Sequence, residues 1–110
     1  MRRGEVYWHS FGRPDKRRPV VVLTRSALVD VLSRISVAAC TTTRRGAASE
    51  VPIGLDDGMP KECSINLLEV YTLEKDALGP YVTQLADRVM RQVDAALLLT
   101  LGVGERLGDG

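Results

Sequence analysis

The chain has 110 residues, of which 45% are hydrophobic and 26% are charged. This length suits one small domain spanning residues 1–110, and the composition excludes a disordered chain. The net charge of +1 hides an asymmetry, because residues 1–45 carry ten Lys and Arg against three acids and residues 46–110 carry five against eleven. If the cations of the first half converge in the fold, they create a positive field that attracts phosphate groups; otherwise they form a solvated surface.

Targeting, metal and disulfide signals are absent from the sequence. No apolar run approaches the length of a membrane span, and the basic start MRRGEVYWHS lacks the apolar stretch of a signal peptide. We therefore predict a cytoplasmic protein without a membrane segment. Cys40, Cys63 and His9 form neither a disulfide framework nor a metal-ligand set. We expect reduced core cysteines, a structural histidine, and no metal or cofactor.

Two strands are predicted near the N-terminus. The run GEVYWHSF (4–11) predicts the first strand, and the turn-forming residues at 12–15 predict a loop after it. The β-branched run RPVVVLT (18–24) predicts the second strand. Pro19 fits only near the start of a strand or at an edge, because proline has no amide hydrogen to donate. Arg18, the residue before Pro19, is therefore predicted to lie at the start of this strand.

Further strands follow in the middle of the chain. Residues 26–33 fit either a short helix or a loop. The apolar alternation over 34–43 predicts a third strand that ends in three threonines. Residues 50–55 contain a proline and predict an edge strand, and residues 63–73 predict one or two more.

The last segment changes to a helical period. Apolar residues recur at spacings of three and four, and Gly102 follows them as a helix stop. Leu98 lies on the polar side and, beside Leu101, is a candidate contact for a second chain. Five or more short strands followed by one helix predict a mainly β fold, a small curved antiparallel barrel with a C-terminal α-helix. The periodic positions are Leu85, Val89, Val93, Ala96, Leu97 and Thr100.

Generic enzyme motifs are missing from the chain. It has no glycine-rich phosphate loop, no HExxH and no GxSxG motif. What remains is Arg18 at a strand mouth and a threonine cluster at 41–43. Taken alone, these residues are most simply interpreted as a surface arginine paired with Asp15 and as strand-end hydroxyls bonded to the local backbone.

Five blocks of sequence carry a family resemblance that changes this interpretation. In the same order and over nearly the whole chain, they resemble the MazF/PemK/Kid family of toxins. The resemblance implies an SH3-like barrel, a homodimer and a MazE-like antitoxin that occupies the RNA groove. It also implies a metal-independent endoribonuclease that cuts single-stranded RNA within short sequences. The blocks are RRGEVYW (2–8), RRPVVVLT (17–24), AACTT (38–42), TLEKDAL (72–78) and QVDAALLLTLG (92–102).

The resemblance assigns catalytic roles to two residues. The family arginine that precedes the strand proline corresponds to Arg18, and the threonine after the small or cysteine position corresponds to Thr41. RNA cleavage by its own 2′-hydroxyl requires alignment and stabilisation of charge on the phosphoryl oxygens, and it leaves 2′,3′-cyclic phosphate and 5′-hydroxyl ends. Arg18 stays protonated, so we expect it to act electrostatically. Asp15 and Thr42 are candidates for catalytic support.

The same resemblance suggests RNA contacts. Tyr71 offers a face on which an unpaired base can stack, whereas Trp8 is expected mainly in the core. The family has a glutamine at the position of Glu69 and an arginine at that of Tyr71. Candidates for holding the RNA are Arg13, Lys16, Arg17, Thr43, Arg44 and Arg45.

Two alternatives stay open. The first is a CcdB-like toxin of the same fold that binds DNA gyrase through its terminal helix and leaves RNA intact. The second is a non-catalytic SH3-like module that binds a peptide or a nucleic acid.

Overall fold

The computed structural model describes residues 1–12, 17–106 and 108. Within these residues, six strands form one antiparallel sheet that is accompanied by a short and a long α-helix. In chain order the elements are β1 (Glu5–Ser10), β2 (Arg17–Val22), α1 (Ser26–Val29), β3 (Arg34–Thr41), β4 (Glu50–Ile53), β5 (Cys63–Glu74), β6 (Tyr81–Gln84) and α2 (Asp87–Leu101).

Most predicted elements are confirmed. The first four strands end within one or two residues of the predicted bounds, and the ambiguous segment 26–33 begins with α1. Residues 63–73 belong to the single long strand β5. The sequence analysis missed β6, because its four residues lack an apolar run and follow the turn-forming Gly79 and Pro80.

The sheet curls strongly, in the order β4-β5-β3-β2-β1-β6. Strand β4 lies at one edge, as the proline in it predicted. The opposite edge strand approaches the 3₁₀ turn that follows β4, where Thr83 Oγ1 donates a hydrogen bond to the Asp57 carbonyl at 3.2 Å. Gly58 has a φ of +88° and packs against Thr83, so a side chain there would be both strained and obstructed. The predicted barrel is thus confirmed as a half-barrel with a C-terminal helix.

The valine run of β2 is buried on both faces of the sheet. Val20, Val21 and Val22 are all 0% exposed. Val21 belongs to the core beneath α2, together with Val93, whereas Val20 and Val22 belong to a second cluster that includes Val29 of α1. Burial on both faces explains why this strand is continuously apolar rather than alternating.

Helix α2 ends where the sequence predicted. Gly102 adopts the left-handed conformation with a φ of 65°, and its N–H donates to the Leu98 carbonyl. Around this end Leu98, Leu99, Leu101 and Val103 are exposed. Among the described helices, none is long and apolar enough to cross a membrane.

Two adjacent leucines of β5 test the assignment of the core. Leu67 is 1% exposed and packs beneath α2, whereas Leu68 is 70% exposed. We expect Leu67→Ala to lower the free energy of unfolding by about 2–5 kcal/mol, because it leaves a cavity in the core. Leu68→Ala should change it by no more than about 0.5 kcal/mol. Urea unfolding of both variants measures the difference. Equal losses of unfolding free energy in the two variants would contradict the assignment of Leu67 to the core and of Leu68 to the surface.

Candidate active site

The start of β2 and the end of β3 border a cavity of about 330 Å³. Antiparallel pairing places Val20 opposite Ala39, so the same register continued by two residues brings Arg18 beside Thr41. Both of these residues line the cavity. Three parts of the chain form its wall: Trp8, Arg17, Arg18 and Pro19 from β1 and β2; Cys40, Thr41 and Thr42 from the end of β3; and Met59, Pro60, Lys61 and Cys63 from the segment that leads into β5.

The Arg18 side chain is held by the two strands that follow β2 in the sheet. Its Nε donates to the carbonyl of Cys40, the residue before Thr41, at 3.0 Å. Its Nη1 and Nη2 donate to Glu69 Oε2 and Oε1 at 3.0 and 2.8 Å. The guanidinium is therefore oriented by a bidentate ion pair and by the β3 backbone, and its side chain keeps 21% of its surface exposed.

The threonine cluster at the end of β3 divides into two parts. Thr41 Oγ1 accepts a hydrogen bond from the Thr43 amide at 3.1 Å, which is the local backbone contact expected of a strand-end hydroxyl. Because a hydroxyl that accepts one bond still has its own hydrogen to donate, Thr41 keeps donor capacity. Thr42 also lines the cavity, whereas Thr43 lies outside it.

Glu69 binds Arg18, although no role was predicted for it from the sequence. Its carboxylate accepts both hydrogen bonds from the Arg18 fork, a third from Asn66 Nδ2 at 3.2 Å and a fourth from the Tyr71 hydroxyl at 3.3 Å. The Arg18 hydrogen bond is the main reason that the pKa of Glu69 lies below its ordinary value. The sequence showed that Glu69 departs from the family pattern. It did not show that Glu69 binds Arg18, which lies two strands away in the sheet.

Aromatic rings pack beside the Arg18–Glu69 pair. The Phe11 ring centroid lies 5.5 Å from the guanidinium carbon of Arg18 and 5.1 Å from the centroid of the Tyr71 ring. Tyr71 is half-buried in this cluster and does not line the cavity, so its stacking on a base stays a prediction. His9 is buried edge-on against Phe11, also away from the cavity wall.

Two further cations, Arg17 and Lys61, and the indole ring of Trp8 also line the cavity. The Arg17 guanidinium lies 4.7 Å from the centroid of the Trp8 ring, a cation–π arrangement. Trp8 is half-buried and borders the cavity, where the sequence analysis expected it mainly in the core. Lys61 is exposed and also lines the cavity, and its loop sequence carried no signal of this position.

Two further predicted contacts, Arg44 and Arg45, do not line the cavity. Arg44 and Arg45 are exposed in the loop after β3. Arg44 Nη1 lies 3.9 Å from Glu62 Oε1, and the amide of Arg45 donates to Glu50 Oε1 at 3.0 Å. The predicted residues Arg13, Asp15 and Lys16 lie outside the described residues.

Both cysteines are free and buried, as predicted. Interaction with the neighbouring Cys63 thiol, together with burial, raises the pKa of Cys40. Within the described ranges, no group of three or more His, Cys, Asp or Glu side chains is arranged to hold a metal ion.

Comparisons with known sequences agree with the predicted resemblance. The family model for the PemK-like, MazF-like toxin of type II toxin–antitoxin systems matches residues 2–101. The chain is 43% identical over 96 residues to the probable endoribonuclease MazF5 of Mycobacterium tuberculosis, covering 86% of this chain and 87% of that protein. It is 32% identical over 103 residues to the probable endoribonuclease MazF2 of the same species, covering 93% and 99%.

Solved structures share the fold. The toxin MazF-mt6 of Mycobacterium tuberculosis superposes with a TM-score of 0.81 at 26% identity, covering 89% of this chain and 96% of that one. A mycobacterial endoribonuclease in complex with its cognate antitoxin superposes with a TM-score of 0.85 at 26% identity, covering 96% and 99%. The fold and the sequence matches therefore agree that the chain belongs to the PemK-like, MazF-like family of toxins of type II toxin–antitoxin systems.

Proposed function

We propose that this toxin is a sequence-specific endoribonuclease that cuts single-stranded RNA without a metal ion, in the cytoplasm, and thereby inhibits translation and growth. The observation that carries the proposal is the convergence of Arg18 and Thr41 on one cavity bordered by Arg17 and Lys61. The names of its relatives, probable endoribonucleases, support the same reaction class.

The reaction uses the substrate's own nucleophile. The 2′-oxygen forms a bond to phosphorus as the bond from phosphorus to the 5′-oxygen breaks, which leaves a 2′,3′-cyclic phosphate and a 5′-hydroxyl. Negative charge grows on the phosphoryl oxygens, and Arg18 and the Thr41 hydroxyl are the donors that we assign to them. Thr42 is a supporting donor at the same wall. These interactions lower the barrier because they strengthen as the charge develops.

The cavity also suits a nucleotide adjacent to the cut. Trp8 and Pro60 provide apolar surface, while Arg17 and Lys61 provide charges for the backbone phosphates. The Arg17 guanidinium lies over the Trp8 ring, and Arg17 is exposed to solvent. Unpaired bases stack on aromatic rings and on guanidinium planes. We therefore place one base of the RNA against this stack.

Partners follow from the family. We propose a MazE-like antitoxin that covers the cationic cavity, since a structural neighbour is solved with its cognate antitoxin. We also propose a homodimer, and the exposed leucines 98, 99 and 101 at the end of α2 provide apolar surface for a second copy.

Arg18→Ala tests the reaction. We expect the wild-type protein, with EDTA present, to cut a long RNA into discrete fragments with 5′-hydroxyl ends. The Arg18→Ala variant should cut at least about 100-fold more slowly, because it lacks the main donor to the developing charge. Arg34→Ala is the matched control, since Arg34 starts β3, at the end of the strand away from Thr41, and pairs with Glu74 at the surface. Gel analysis and end-labelling of the fragments measure the outcome.

Three results would contradict parts of the proposal. Intact RNA after incubation with the wild-type protein would favour the gyrase-binding alternative, for which binding to gyrase is the corresponding assay. Cutting that requires an added divalent cation would reject the metal-independent mechanism. If the Arg18→Ala and Arg34→Ala variants cut RNA at equal rates, Arg18 has no role in the reaction.

The single tryptophan reports on RNA in the cavity. We expect a pool of single-stranded 2′-O-methyl RNA, which lacks the nucleophile and is not cut, to quench the fluorescence of Trp8 in proportion to binding. The quenching should weaken steeply as salt rises, because cations hold the backbone. A double-stranded RNA of the same length is the control. If a gel shift shows that the RNA binds while the fluorescence of Trp8 does not change, the RNA binds outside this cavity.

A further inference from the structure

The proposed reaction needs a proton acceptor that its two assigned residues do not provide. The 2′-hydroxyl must lose its proton as the 2′-oxygen attacks phosphorus. Arg18 remains protonated in any protein environment, and the Thr41 hydroxyl is not basic at neutral pH. The one histidine of the chain, His9, is buried, with only 9% of its surface exposed and its ring packed edge-on against Phe11.

A carboxylate is bound directly to Arg18. Glu69 receives the Arg18 fork at 2.8 and 3.0 Å, so a phosphate that also contacts this guanidinium lies within a few ångströms of the carboxylate. The Glu69 side chain keeps 30% of its surface exposed, which leaves it able to exchange protons with solvent. Asn66 and Tyr71 also donate hydrogen bonds to the two carboxylate oxygens of Glu69, which further restricts the orientation of the carboxylate.

We propose that Glu69 is the general base of the reaction, an assignment that rests on the proposed ribonuclease function. The Glu69 carboxylate takes the proton of the 2′-hydroxyl while the 2′-oxygen bonds to phosphorus. The bond to the 5′-oxygen breaks with its electron pair on that oxygen, which takes a proton from water. Glu69 then returns its proton to water, so that the enzyme ends the cycle unchanged.

The charge around Glu69 suits this step. The Arg18 hydrogen bond keeps the pKa of Glu69 below its ordinary value, so the carboxylate is ionised and ready to accept a proton at neutral pH. When a phosphate shares the Arg18 donors, their hold on the carboxylate weakens and the pKa of Glu69 rises. Binding of the substrate thereby makes the base stronger at the moment it is needed. Tyr71 is the other titratable group in contact with this carboxylate among the described residues.

Two glutamates of β5 provide a matched comparison. Glu69 pairs with Arg18, which lines the cavity, and Glu74 pairs with Arg34 at the surface, 3.6 Å apart. The experiment compares Glu69→Gln with Glu74→Gln in single-turnover cleavage of RNA from acidic to neutral pH, with EDTA present. Binding of uncut 2′-O-methyl RNA is measured in parallel, and thermal unfolding confirms that both variants fold.

We expect Glu69→Gln to cut about 100-fold or more slowly at neutral pH, with RNA affinity changed only a few-fold. The wild-type rate should fall as the pH drops through the pKa of Glu69 in the RNA complex, because protonation removes the base, and Glu69→Gln should lack this acid limb. Glu69→Asp should regain part of the rate and the limb. Glu74→Gln should behave as the wild type.

Three outcomes would overturn the inference. Wild-type cleavage by Glu69→Gln would make the pair with Arg18 purely structural. Faster cleavage with at least tenfold tighter RNA binding would make Glu69 a competitor of the phosphate for Arg18. A slower variant that retains the acid limb would make Glu69 a residue that only positions Arg18. Absence of cleavage by the wild-type protein would instead reject the proposed function itself.

Discussion

The antiparallel pairing of β2 with β3 is the interaction on which the candidate site depends. Because β2 begins where β3 ends, a register that joins Val20 to Ala39 also brings Arg18 beside Thr41. The hydrogen bond from Arg18 to the carbonyl of Cys40, the residue before Thr41, fixes the guanidinium against the β3 backbone. A free arginine would lose about 2 kcal/mol of side-chain entropy on binding a phosphate, and part of this cost is met here by folding.

The curl of the sheet adds a third strand to the site. Strand β3 lies between β2 and β5, and its pairing with β5 shifts register between Ala38 and Cys40. Arg18 reaches past β3 to bind Glu69 on β5 with both Nη atoms. The site therefore consists of side chains from three adjacent strands, which a stable sheet holds in place more rigidly than loops would.

The charge asymmetry of the sequence takes a more specific form in the structure. The basic first half supplies Arg17 and Arg18 to the cavity, as expected, but Lys61 comes from the acidic second half. Two acids of that half, Glu69 and Glu62, contact cations of the first half, namely Arg18 and Arg44. The candidate site therefore includes a carboxylate bound to Arg18 as well as cations.

The sequence by itself determined five of the six described strands, the terminal helix with its stop at Gly102, and the positions of Arg18 and Thr41 at strand ends. The spacing of apolar residues, the β-branched runs and the turn-forming residues are local properties of the sequence. Arg18 and Thr41 lie within two of the sequence blocks that resemble the family. The tertiary structure alone decided that Glu69 meets Arg18, that Lys61 faces the cavity and that Tyr71 packs against Phe11. These contacts join residues far apart in the chain. The contacts depend on the register of strand pairing, on the register shift in β3 and on the curl of the sheet. No local pattern of residues determines these three features.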